Sequence, residues 1–156
     1  LQGAIYGPRM AEAKLSDGAG SFFQTCRQHR VKVFIVSHKT ERGHFDETHT
    51  DLRMSAMNWM EQNDFFQAGG LAISPEDVFF EDTRHDKLER IQRLGCTHFI
   101  DDLEEVLLDN GFPSSVRKIL YAPHRPQTLP QELTVAGNWD EITDCVFAVE
   151  RLAAGD

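Results

Sequence analysis

Cysteine is scarce. Three residues, Cys26, Cys96 and Cys145, stand far apart with no CxxC pair, which excludes a disulfide framework and a zinc knuckle and leaves reduced structural thiols. No run of about eighteen apolar residues occurs, so no membrane-spanning helix is expected. The opening segment "LQGAIYGPRMAEAKL" lacks the basic flank and continuous apolar core of a secretory signal. The expectation is a soluble, cytoplasmic protein with no membrane partner. Positive charge is also short: 16 Lys and Arg face 25 Asp and Glu, and a net charge of -9 repels a polyanion, so no nucleic-acid partner is expected. A small anionic substrate stays compatible with that balance, because a local site can be positive inside an acidic protein. Among the histidines, His38, His44, His49 and His85 include no HxxxH pair to place two imidazoles on one helix face. They are read as solvent-exposed, with His38 and the neighbouring Lys39 kept as substrate contacts. No internal repeat, low-complexity tract or second-domain boundary is visible.

What remains is an ordinary globular composition, 40% hydrophobic and 26% charged, in a chain of one-domain length. Residues 16–30 carry Phe22, Phe23 and Cys26 at helical spacing behind a capping Ser or Asp. "VKVFIV" is too short for a helix and suits a buried strand of a parallel sheet. Residues 48–66 give an imperfect helical face with Leu52, Met54, Ser55, Ala56, Trp59 and Met60. "SPEDVFFED" reads as a turn and a short strand, and "RHDKLERIQRLG" as an amphipathic helix with Leu88, Ile91 and Leu94 on one stripe and Gly95 as its stop.

The strand "THFI", the acidic-first helix "DDLEEVLLDNG" and the strand "SVRKILYAP" follow. Residues 122–138, with three prolines, read as a long surface loop, and "WDEITDCVFAVERLAA" as a closing helix anchored by Trp139. Alternation of helix and strand predicts a single doubly wound, Rossmann-like α/β domain, a parallel sheet flanked by helices. In such sheets ligands gather beyond the carboxyl ends of the strands.

Four strand ends are therefore of interest. Ser37, His38, Lys39 and Thr40 follow the first strand; Glu81, Asp82 and Thr83 follow the second, with Lys87 in the next helix; Asp101 and Asp102 follow the third; Pro123, His124 and Arg125 follow the fourth. Two adjacent carboxylates need a compensating cation, and hard oxygen ligands with room for water suit Mg²⁺. Lysine supplies a compact charge for phosphate oxygens, and a serine hydroxyl can orient one of them. Phosphoryl transfer needs mainly positioning and charge neutralisation. Taken singly, Ser37 reads as a strand-end hydrogen-bonding residue, Lys87 as a solvated surface group, and Asp101 and Asp102 as helix-capping charges.

In the order "VFIVSHKT", "DTRHDKLERI", "HFIDDLEEVL", the chain resembles the haloacid dehalogenase-like (HAD) superfamily of hydrolases, mostly Mg²⁺-dependent phosphatases. The resemblance covers roughly Ser16 to Tyr121 and the final helix. It implies that Ser37 hydrogen-bonds the transferring phosphoryl group and that Lys87 steadies that group and the nucleophile. Asp101 and Asp102 would bind or orient Mg²⁺, and the substrate would be a small phosphomonoester.

The family's first motif, DxDx(T/V), which supplies the nucleophile and the acid/base, is absent: no DxD occurs in the 156 residues. "GAIYG", the candidate for an upstream strand, leads to Pro8 and Arg9 without a carboxylate, and Asp17 suits a helix cap better. The resemblance thus places the nucleophile upstream of residue 1. The alternative is a catalytically inactive HAD-fold module that binds phosphate or another ligand. Residues 41–76 are the place for substrate-covering elements, and their modest length predicts a capless or minimally capped protein. A response-regulator receiver also uses acidic pairs, a hydroxyl and a lysine, but there the acidic pair comes early.

Overall fold

The computed structural model describes residues 14–38, 52–124, 128 and 131–153, with side chains described up to residue 147. The "GAIYG" strand, Lys39, Thr40, His44, His49, Arg125 and the first part of the substrate-covering stretch, 41–51, lie outside the described residues. The chain is α/β, and every strand pairing among the described residues is parallel. It divides into two compact units, one built on Cys26–Lys87 and one on Asp17–Thr25 with Leu88–Asp156. Among the described residues, no helix is long and apolar enough to cross a membrane.

In the first unit, β1 (Ile35–His38) pairs with β2 (Val78–Glu81) in the register Ile35↔Val78 to His38↔Glu81. The strand thus begins and ends later than the apolar run "VKVFIV" predicts. Residues 31–34 form its lead-in: Lys32 Nζ lies 3.0 Å from Asp77 Oδ1 and 4.8 Å above the Phe34 ring. That ion pair ties the lead-in to the 3₁₀ turn Pro75–Asp77, which delivers the chain into β2.

Parallel strands need a crossover rather than a tight turn, and part of it here is α2 (Leu52–Gln62). Its buried residues, Leu52, Ala56 and Met60, recur every four positions. Met54, two positions from Leu52 and so nearly opposite on the helix, is 61% exposed, contrary to the expected apolar face. Trp59 packs edge-on against Phe65 at 5.3 Å, and the chain then returns through buried Leu71 and Ile73.

Two helices run across the division between the units. The helix α1 (Ala19–Gln28) buries Ala19, Phe22 and Cys26. The helix α3 (Arg84–Arg93) buries Leu88 and Ile91 and ends at Gly95, whose φ of +64° is the left-handed conformation that glycine adopts at least cost.

In the second unit, β3 (His98–Asp101), β4 (Arg117–Tyr121) and β5 (Thr134–Ala136) lie in that order. The middle strand is the most enclosed, with Ile119 and Leu120 buried. The strand β5 corrects the expectation of one long loop over 122–138. Its backbone pairs with β4, and the Ala122 N–H donates to the Ala136 carbonyl at 2.8 Å.

Between β3 and β4 the expected helix shrinks to one turn, α4 (Glu104–Leu107), which buries Val106 and Leu107. The closing helix α5 (Trp139–Ala153) carries buried Ile142 and Phe147. Its start is fixed by a capping box. Asn138 Oδ1 accepts the Glu141 N–H at 2.9 Å, while Glu141 reaches back to the Gly137 N–H, also at 2.9 Å.

Candidate functional site

The polar end of β1 in the first unit is where the sequence places its hydroxyl and imidazole. Ser37 is half-buried and lies opposite Phe80, and His38, exposed, lies opposite Glu81. Both belong to the strand itself rather than to a loop after it. Because the pairing is parallel, the ends of β1 and β2 lie together, and the His38 ring reaches across to the residue after β2. His38 Nε2 is 2.7 Å from the Asp82 backbone oxygen. A carbonyl oxygen only accepts, so Nε2 carries the hydrogen and Nδ1 is left as the ring's second functional atom.

Asp82 is held from a second side. Its Oδ1 lies 2.5 Å from Arg53 Nη2, so α2 is joined through one exposed carboxylate to the bend that follows β2. The next residue, Thr83, caps α3. Its hydroxyl accepts the Asp86 N–H at 3.1 Å and donates to the Asp86 carboxylate at 2.6 Å.

One turn into α3 stands Lys87, whose N–H donates to the Thr83 carbonyl. Lys87 is 6% exposed and is the buried charged side chain among the described residues. The surface-group reading is therefore wrong for this residue. Lysine is almost never fully buried without a compensating environment, so its burial sets Lys87 apart from an ordinary surface lysine. The sequence did carry a signal for it, since Lys87 precedes buried Ile91 by four positions and shares its helical face.

The acidic pair belongs to the second unit. Asp101 ends β3 and is half-buried, and Asp102 is exposed. Asp101 Oδ1 accepts the Leu103 N–H at 2.9 Å, which turns the chain toward α4. The helix cap itself is Leu103, with no side-chain cap bond, so Asp101 turns the chain and does not cap α4.

Two adjacent carboxylates with room for water fit a Mg²⁺ ion, which commonly keeps several waters. Among the described residues, no group of three or more His, Cys, Asp or Glu side chains could hold a metal. His85 is exposed, as read from the sequence, and His124, after β4, is exposed as well.

Sequence reasoning missed Arg53 and Asp82 as partners. They are 29 residues apart, in a helix and a bend, and no short-range pattern links them. Comparisons with protein-family models, with curated proteins and with solved structures found no match.

Proposed function

We propose that this chain is the core of a HAD-like phosphatase that hydrolyses a small phosphomonoester with Mg²⁺. The observation that carries the reading is the burial of Lys87 one turn into the helix after β2, because a solvated lysine would have no such constraint. Further support comes from Ser37 and His38 at the carboxyl end of β1 and from the acidic pair at the carboxyl end of β3.

In this reading the Ser37 hydroxyl donates to a phosphoryl oxygen, and the Lys87 ammonium offsets the charge that grows on that group. Asp101 and Asp102 would hold Mg²⁺, which supplies charge neutralisation when bound. His38 and Lys39 would contact the substrate. The covalent step would use an aspartate upstream of residue 1.

The test is Mg²⁺-dependent release of phosphate from a panel of phosphomonoesters by the full-length protein. Release that Ser37→Ala and Lys87→Ala both abolish, with the fold intact, is the expected result. The absence of a DxD motif from the 156 residues favours a second reading, a phosphate-binding module without turnover. Thermal stabilisation by phosphate with no release from any ester would select it.

A further inference from the structure

We propose that Asn110 is a modification site, a latent point of spontaneous deamidation in the second unit, and that the Asp109 carboxylate holds it closed by keeping the Gly111 N–H. The proposal is independent of the phosphatase reading.

The dipeptide Asn110-Gly111 is a signal for a two-residue hairpin turn, but β3 and β4 on either side of it are parallel and cannot be joined that way. The turn is instead Asp109–Phe112, closed by the Phe112 N–H on the Asp109 carbonyl at 2.9 Å. Gly111 has no left-handed φ, so its missing Cβ matters for space: a Cβ there would stand 3.3 Å from Asp109 Oδ1 and 3.6 Å from Leu88 Cδ1.

The same missing Cβ opens a reaction. Asparagine is a labile residue, and a following glycine leaves its side-chain amide unshielded from the next backbone nitrogen. Gly111 N loses its proton to hydroxide and attacks Asn110 Cγ. A C–N bond closes a five-membered succinimide, and the side-chain nitrogen leaves as ammonia with a proton taken from water. A second water then opens the ring at either carbonyl, giving aspartate or isoaspartate. No oxidant or reductant enters, and Asn110 is exposed, so water reaches it.

The fold withholds the nucleophile. The Gly111 N–H donates to Asp109 Oδ1 at 2.8 Å, a charge-assisted bond. Taking the proton away would set a second negative charge directly against that carboxylate, which like-charge repulsion opposes. The main chain is pinned as well. Leu107 before the turn and Phe112 after it are buried, and the Phe112 ring lies 6.1 Å from Phe99 of β3 with Lys118 Nζ 4.9 Å above it. Isoaspartate would lengthen the main chain by one methylene between these two anchors, so packing opposes that product too.

The experiment incubates the full chain, folded and in denaturant, in mildly alkaline buffer. Peptide mass spectrometry follows Asn110, and hydrogen exchange follows the Gly111 N–H. Both reactions begin with proton loss from the same nitrogen. Deamidation is expected to be slower in the folded chain than in denaturant, with the Gly111 N–H protected. Asp109→Ala should raise both rates in the folded chain about fivefold, the loss of one hydrogen bond. Asp109→Ser, whose hydroxyl can accept the same N–H more weakly, should give a smaller rise.

An Asn110 that yields no acid in denaturant overturns the site. Equal deamidation rates in the folded and denatured chain, an unprotected Gly111 N–H, or unchanged rates in folded Asp109→Ala overturn the hold of Asp109. If circular dichroism shows that Asp109→Ala does not fold, Asp109→Ser and the exchange of the unmodified chain decide it.

Discussion

The indole of Trp139 lies 5.2 Å from the ring of Phe22, centroid to centroid, with the planes tilted by 42°. Tyr121 stands at 5.6 Å and Phe23 at 6.4 Å from the same indole, so the first residue of α5 collects aromatic groups from α1 and β4. Gly18 makes room for it: a side chain there would begin 3.1 Å from the Trp139 Cβ, at a φ of +85°. Trp139→Ala should lower unfolding free energy by about 3 kcal/mol, the low end for an aromatic deletion since the residue is only half-buried. Urea denaturation followed by circular dichroism measures this, and a loss below about 1 kcal/mol would remove Trp139 as the anchor of α5.

The cap of that helix makes a smaller and separable contribution. Asn138→Ala removes the acceptor for the Glu141 N–H and is expected to cost about 1 kcal/mol. The same denaturation curve should show an unchanged slope with a lower midpoint.

Burial raises all three thiols. Cys26 is pushed up to about 11, chiefly by desolvation, and Cys96 is raised for the same reason. Cys145 is raised first by burial and then by the carboxylates of Asp144 and Glu141. The thiolate is the reactive form, and two pKa units correspond to about 100-fold less of it. At pH 8 iodoacetamide should therefore label folded Cys26 about 100-fold more slowly than Cys26 in denaturant, as read by peptide mass. Equal rates would contradict its burial.

His98 supplies a pH dependence. Burial, and secondarily the Arg117 guanidinium opposite it in the β3–β4 register, hold its imidazole below the ordinary value of about 6.5. Its Nδ1 is 2.9 Å from Thr97 Oγ1, and its buried Nε2 has no protein partner, so a second N–H on the ring would be left unpaired. The unfolded chain takes up the proton near 6.5, whereas the folded chain does so only at lower pH. Below about pH 6.5 the unfolded state binds more protons, and stability falls until the folded form titrates as well. His98→Gln should flatten that fall below about pH 6.5, and an unchanged slope would remove His98 as its source.

Much of this was legible in the sequence where periodicity was strong. The stripe of Leu88 and Ile91, the stop at Gly95 and the anchor at Trp139 all follow from spacing and turn chemistry. The strand β5 was not legible, because Thr134–Ala136 is three residues long in a proline-rich stretch, and its place depends on pairing with β4 rather than on local preference. Met54 misled because α2 has an imperfect apolar pattern, and the core selected Leu52, Ala56 and Met60 instead. Ser37, Lys87, Asp101 and Asp102 could be singled out by type and order. The bond from His38 to Asp82 and the hold of Arg53 on it are tertiary relationships that only the fold reveals.

The most direct test of the central claim is Mg²⁺-dependent phosphate release by the full-length protein carrying Lys87→Ala or Asp102→Asn. Each substitution is expected to lower release by about 100-fold or more, the usual consequence of removing one charge-stabilising group, while the circular dichroism spectrum stays unchanged. Turnover at the unmodified rate in either folded variant would contradict the assignment of these residues to a phosphoryl-transfer site.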